Sequence, residues 1–174
     1  EFNRRDFLKG GSLATVMTLL GGVELVAETP TGKADEEKPA GPKIKCAVIG
    51  LGNWGREIIN TLLRLPQVEL AVICDTYPAA VKKAATLAPT AKTTNDYQTI
   101  LADKDIAAVF VVTPTPLHKD IALAALKAGK HVSCTVPMAT SVADCRRIVA
   151  LQQRTGLKYM MMETVVYARE FLYI

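Results

Sequence analysis

"AVIGLGNWG", residues Ala47–Gly55, sets three glycines at G-x-G-x-x-G spacing. The residues before it, "IKCAVIG" (Ile44–Gly50), form a short β-branched run. Beyond it, Ile58, Ile59, Leu62 and Leu63 share one helical face until Pro66 stops the pattern. A glycine turn between a strand and a helix is the context that gives this spacing a mechanism. Gly50 permits the tight turn, Gly52 lets backbone approach a pyrophosphate, and Gly55 lets helix and strand pack closely. The helix then points free N–H groups and a positive dipole end at the phosphates. Asp75 closes the next strand, "VELAVICD" (Val68–Asp75), twenty residues past Gly55. An acid there accepts hydrogen bonds from ribose hydroxyls. The loop therefore reads as a dinucleotide site made by Gly50, Gly52, Asn53, Trp54, Gly55, Asp75 and Thr76. The alternative is a vestigial loop that keeps its glycines for packing.

Asp75 also selects the dinucleotide. A 2′-phosphate beside it meets like-charge repulsion of roughly 4 kcal/mol per charge pair at 4 Å and an effective dielectric of 20. Thr76 and Tyr77 follow, not an arginine that would offset it. NAD is favoured over NADP.

The same alternation continues along the chain. "PAAVKKAATLA" (Pro78–Ala88) reads as a helix with proline at its start. "DYQTILAD" (Asp96–Asp103) reads as a short helix capped by Asn95 or Asp96, and "AAVFVVT" (Ala107–Thr113) as a buried strand. "PLHKDIALAALKAG" (Pro116–Gly129) is a helix closed by glycine, followed by the strand "HVSCTV" (His131–Val136). Ser141 with Asp144 resembles a capping box opening a helix whose Val142, Cys145, Ile148 and Val149 share a face. Gly156 ends that helix, and "KYMMM" (Lys158–Met162) is the last strand. Apolar strands alternating with helices imply a parallel sheet covered on both faces. The fold class is α/β, a doubly wound Rossmann-type sheet over residues 43–162.

The ends of the chain read differently. "NRRDFLKGG" (Asn3–Gly11) leads into an uncharged run, Ser12–Val23, too short to span a bilayer, which needs about 20 residues. A basic start and a short apolar run form a secretory signal, and Arg4-Arg5 resembles the twin-arginine type. Residues 1–27 are thus expected to direct export to the periplasm, with the twin-arginine machinery as partner. The alternative is an amphipathic helix with a chance arginine pair, which Gly10-Gly11 and Gly21-Gly22 would weaken. Residues 28–42, polar and broken by proline and glycine, read as a tether. Net charge is +4, of which Arg4, Arg5 and Lys9 supply three, and no basic stripe with interleaved aromatics follows, so nucleic acid is not an expected partner. The four cysteines show no C-x-x-C spacing and no nearby histidine that would complete a metal set, so none is expected. They read as buried thiols, with a disulfide as the open alternative.

"AVIGLGNWG", "VICD", "TTNDYQTIL", "TPTPLH" and "AGKHVSCTVP", in this order and spacing, resemble the N-terminal half of the Gfo/Idh/MocA oxidoreductases over residues 43–174. The resemblance implies bound NAD, a small-molecule carbohydrate substrate and a homo-oligomer. It adds Thr113, Pro114, Thr115, His118, Thr135, Val136 and Pro137 to the cofactor side. Taken alone, His118 is a surface histidine at a helix start. The family's second domain, an open antiparallel sheet carrying most of the substrate pocket, is expected to open with residues 163–174 and to lie largely beyond Ile174.

Dehydrogenases of this family usually carry Glu-Lys-Pro where this chain has Thr135-Val136-Pro137. A valine neither donates nor accepts a proton, so that lysine's proton route is closed. "MMMETVVYARE" (Met160–Glu170) is similar to a stretch of the NAD-dependent N-acetylgalactosaminidases of the superfamily, which also have Val-Pro. Those enzymes oxidise a sugar hydroxyl transiently, eliminate the aglycone, add water and reduce again. By that resemblance Tyr167 is a candidate acid/base, against the plain reading of an aromatic at a domain junction. Thr135 departs from both groups, which usually have glutamate.

Three functions follow. The broad one is an exported sugar oxidoreductase working by hydride transfer. The second is a redox-neutral glycosidase or lyase with recycled NAD, and the third a non-catalytic NAD- or sugar-binding protein. Twin-arginine export moves folded proteins, so NAD would travel out already bound, with no external pool to replace it. Chemistry that restores the cofactor each turnover suits that address.

Overall fold

A computed structural model describes residues 41–163 of the chain. Six parallel strands form one sheet in the order β3-β2-β1-β4-β5-β6. They are β1 (Ile44–Ile49), β2 (Val68–Cys74), β3 (Lys92–Thr94), β4 (Ala108–Val111), β5 (His131–Thr135) and β6 (Tyr159–Met162). The helices are α1 (Asn53–Leu62), α2 (Pro78–Leu87), α3 (Tyr97–Ala102), α4 (His118–Lys127) and α5 (Val142–Thr155). The sheet changes direction of winding between β1 and β4, so the crevice at their C-terminal ends is where such a sheet binds ligands.

The sheet is buried on both faces, as apolar strands without alternation require. Ala47, Ile49, Val109, Val111, Val132 and Cys134 pack against Ile100 of α3, Ile121 and Ala125 of α4, and Ile148 and Leu151 of α5. Cys46, Val48 and Ile73 pack on the other side against Ile59 and Leu62 of α1 and Ala84 of α2. Alternate residues of β1 thus enter different cores, which fixes its register.

Local chemistry sets the helix ends. Asp96 caps α3, its carboxylate accepting from the Gln98 amide at 2.9 Å. Ser141 Oγ accepts from the Asp144 amide at 3.1 Å and donates to the Asp144 carboxylate at 2.8 Å. Gly156, at φ +67°, closes α5 in the left-handed region.

Four expectations need correction. β3 is a strand that periodicity did not reveal, because it has only three residues, none of them buried. Leu63 is exposed, since it caps α1 after the helix has turned away from the core. On α5, Val142 and Val149 are also exposed. The buried stripe runs through Ile148 and Leu151, with Cys145 half-buried beside it. A single 3₁₀ turn, Thr115–Leu117, precedes α4, so the helix begins at His118 and not at Pro116.

All four cysteines are free, and Cys46, Cys74 and Cys134 are buried. Burial pushes those three thiols up to about 11. No helix among the described residues is long and apolar enough to cross a membrane. No cluster of His, Cys, Asp or Glu among them could hold a metal ion. The signal segment, most of the tether and Tyr167 lie outside the described residues.

Candidate nucleotide site

The site is built where β1 turns into α1. Gly50 has φ +100°, and a Cβ there would sit 2.4 Å from the Val112 carbonyl oxygen. A Cβ on Gly55 would sit 2.1 Å from the Gly50 carbonyl oxygen. Both positions are closed to any side chain by backbone. Gly52 differs. Its φ of −62° suits any residue, yet a Cβ there would meet nothing within 4 Å. Its missing side chain leaves open space in front of the α1 N-terminus, where no side chain caps the first turn. That is an anion cradle of free amides at a positive helix end.

Asp75 sits beside the loop just past β2. Its Oδ2 accepts from the Leu51 amide at 2.7 Å and its Oδ1 from the Tyr77 amide at 2.8 Å. Each oxygen keeps a second lone pair for a ribose hydroxyl. Between the ends of β2 and β4 lies a mainly apolar cleft of about 200 Å³, walled by Asp75, Thr76, Asn95, Tyr97, Thr113, Pro114 and Leu117. Thr113 Oγ1 is buried and has no hydrogen-bond partner among the described residues. The orphaned hydroxyl and the open space at Gly52 fit a dinucleotide laid across the loop.

The remaining sequence candidates fall at the ends of β4 and β5. Thr113, Pro114 and Thr115 follow β4, and Thr135 ends β5 with Val136 and the cis-linked Pro137 beyond it. Val136 and Trp54 are exposed, 40% and 47% respectively. His118 is not the surface residue its helix-start position suggests. It is 1% exposed, with Nδ1 2.8 Å from the Pro137 carbonyl oxygen and Nε2 2.7 Å from that of Thr113. Both ring nitrogens face backbone, one on the loop after β4 and one on the loop after β5.

Sequence reasoning missed Arg56. Its guanidinium donates to the Leu51 carbonyl oxygen at 3.0 Å and to Asn53 Oδ1 at 2.6 Å, bracing the loop and placing a positive charge beside the cradle. The available signal was its position directly after Gly55. Asn95 and Tyr97 entered the sequence reading only as part of a helix start, and the cleft they wall forms only when β2 and β4 are in place.

With this geometry in hand, the chain's relatives are informative. The Gfo/Idh/MocA model, an oxidoreductase family with an NAD-binding Rossmann fold, matches residues 44–163. A glycosyl hydrolase family 109 protein of Shewanella baltica is 32% identical over 192 aligned positions that take in the whole of this chain. The alpha-N-acetylgalactosaminidase of Shewanella oneidensis is likewise 32% identical over 192 positions. This chain spans 42% of the length of each. Among solved structures, GenD2 from gentamicin A biosynthesis in complex with NAD aligns at TM-score 0.73 and 27% identity, over 76% of this chain and 38% of GenD2. The scyllo-inositol dehydrogenase of Lactobacillus casei with NAD(H) and scyllo-inositol aligns at TM-score 0.70 and 22% identity, over 75% of this chain and 39% of its own, a likeness of fold. The chain belongs to the Gfo/Idh/MocA oxidoreductases, and the glycine loop, Asp75 and the β4 and β5 loops are parts of that family's NAD-binding Rossmann domain.

Proposed function

We propose that this chain is the cofactor-binding part of an exported enzyme that cleaves a glycoside of an N-acetylated amino sugar with no net redox change. The observation that carries this is Val136, exposed at the end of β5 where dehydrogenases of the family usually keep a lysine. The 30–33% identity to the glycosyl hydrolase family 109 relatives, over the whole of this chain, supports the same choice.

NAD, when bound, supplies a hydride acceptor that can return the hydride within one turnover. Asp75 would hold its adenosine ribose and the α1 amides its pyrophosphate, with the β4 and β5 loops bordering its other half. Net chemistry is glycoside plus water giving free sugar plus aglycone. Valine closes the proton route at position 136, so acid/base work falls to groups outside the described residues, Tyr167 among the candidates. The paired Arg4-Arg5 supports export of the folded, loaded protein. With association at about 10⁶ M⁻¹s⁻¹, retention for hours needs a Kd of roughly 100 pM or tighter.

A net sugar dehydrogenase is the second reading, favoured by the match of residues 44–163 to an oxidoreductase family model. One experiment separates the two. The intact protein is dialysed extensively, denatured and assayed for released nucleotide, and in parallel given an aryl N-acetyl-α-galactosaminide with no added NAD. The glycosidase reading expects retained NAD and aglycone release without net reduced cofactor. Protein that emerges empty, releases no aglycone by itself, and with added NAD accumulates reduced cofactor stoichiometrically with oxidised sugar would overturn it in favour of the dehydrogenase.

A further inference from the structure

His118 is the least exposed of the buried polar side chains among the described residues, yet it opens a helix at the edge of the nucleotide site. Its two ring nitrogens reach carbonyl oxygens on two different loops. Thr113 follows β4 and Pro137 follows β5. These strands are neighbours whose ladder ends at the Val111–Cys134 pair. Beyond that pair the sheet no longer fixes the separation of the loops, and the imidazole does. One ring N–H donates to one of these carbonyls, and a donor at each edge, which two acceptors call for, exists in the doubly protonated ring, whereas an amide side chain places its donors at one end only. Thr135 completes the bracket. Its hydroxyl donates to the Val111 carbonyl oxygen at 3.3 Å and lies 3.4 Å from His118 Nε2.

Strand order decides what lies over these loops. Asp75 ends β2, the glycine loop ends β1, and the ends of β4 and β5 come next across the sheet. A dinucleotide with its adenosine ribose on Asp75 and its pyrophosphate on the glycine loop carries its second half over the β4 and β5 loops. We propose that His118 is the positioning residue for that half, setting the gap between the two loops that receive the nicotinamide end without touching it. The proposal rests on the reading of this crevice as the NAD site.

ADP-ribose separates the two ideas, because it keeps the adenosine and pyrophosphate and lacks the nicotinamide. The intact protein, stripped of nucleotide, is titrated with NAD and with ADP-ribose. In His118→Gln the affinity for NAD is expected to fall about 10-fold or more, the scale on which small displacements of positioned groups act. Affinity for ADP-ribose should change by less than about twofold. Thr135→Val removes the hydroxyl at nearly constant shape and should weaken NAD selectively by a smaller factor. It decides the matter if His118→Gln does not fold. Equal loss of both ligands, or unchanged NAD affinity in the variant that folds, would overturn the proposal. A wild-type protein that binds neither ligand would overturn the NAD reading of the crevice, and this proposal with it.

Discussion

Asp75 Oδ2 accepts a hydrogen bond from the Leu51 amide at 2.7 Å, so the acid that follows β2 also holds the turn that follows β1. The two residues are 24 positions apart and meet because β1 and β2 pair from Ile44–Val68 to Ile49–Cys74, with a register shift between Cys46 and Ala47. One carboxylate therefore ties the glycine turn after β1 to the end of β2 and keeps lone pairs free beside it.

Asp75→Ala is expected to weaken NAD binding by about 10- to 100-fold, the equivalent of one charge-assisted hydrogen bond. It should narrow the preference over NADP, because the repulsion of a 2′-phosphate disappears with the charge. Calorimetric titration of parent and variant with both cofactors measures each effect. Identical affinities would show that Asp75 serves the loop alone.

Gly55 and Gly52 should respond differently to alanine. Gly55→Ala drives a Cβ into the Gly50 carbonyl and is expected to cost about 1–3 kcal/mol of stability. Gly52→Ala meets open space at an ordinary φ and should leave stability within about 0.5 kcal/mol. The same Gly52→Ala methyl would stand in the phosphate cradle, so NAD binding should be lost while the melting curve is kept. Denaturation curves paired with NAD titrations separate the two outcomes.

Lys130 is 4% exposed, and its ammonium donates to the carbonyl oxygens of Asp103 and Ile106, the latter at 2.8 Å. Lys130→Met keeps the length and apolar stem but orphans both carbonyls. A loss of about 2–3 kcal/mol is expected, read as a lower denaturation midpoint in urea. An unchanged midpoint would mean water replaces the ammonium without cost.

The buried thiols set a limit at high pH. Cys46, Cys74 and Cys134 titrate near 9 when unfolded and are held up at about 11 by burial in the fold. Burial pushes the Tyr159 phenol upward as well. A group raised in the folded state contributes its full stability below its unfolded value and loses it as the pH climbs through the folded value. Stability should therefore fall between about pH 9 and 11. At pH 8 a disulfide reagent should label half-buried Cys145 first and the other three only on unfolding. Rapid labelling of all four in the native protein would contradict the burial.

Export is tested at the other end of the chain. Arg4→Lys with Arg5→Lys keeps the charge and removes the twin-arginine signature, so the protein should stay in the cytoplasm. Cell fractionation measures this, and unchanged export would point to a general secretory signal and remove the argument for cofactor loading before export.

The sequence by itself determined the fold class and the glycine turn, because both are written in local chemistry. Strand runs, helix caps such as Ser141 and Asp96, and the glycine spacing each act over a few residues, and each is found in place. Helix facing was less legible. A stripe can be drawn through Val142 and Val149 as readily as through Leu151, and only the packing of α5 against α4 and the apolar core chooses between them. β3 escaped because three residues carry no period. Tertiary structure alone decided the surroundings of His118. Nothing near it in the chain distinguishes a surface histidine from a buried one. What decides is that the Pro137 carbonyl, nineteen residues later, returns to within 2.8 Å once β5 lies beside β4. Such a contact is made by the sheet and not by the segment, so it forms only when strands far apart in sequence have found their order.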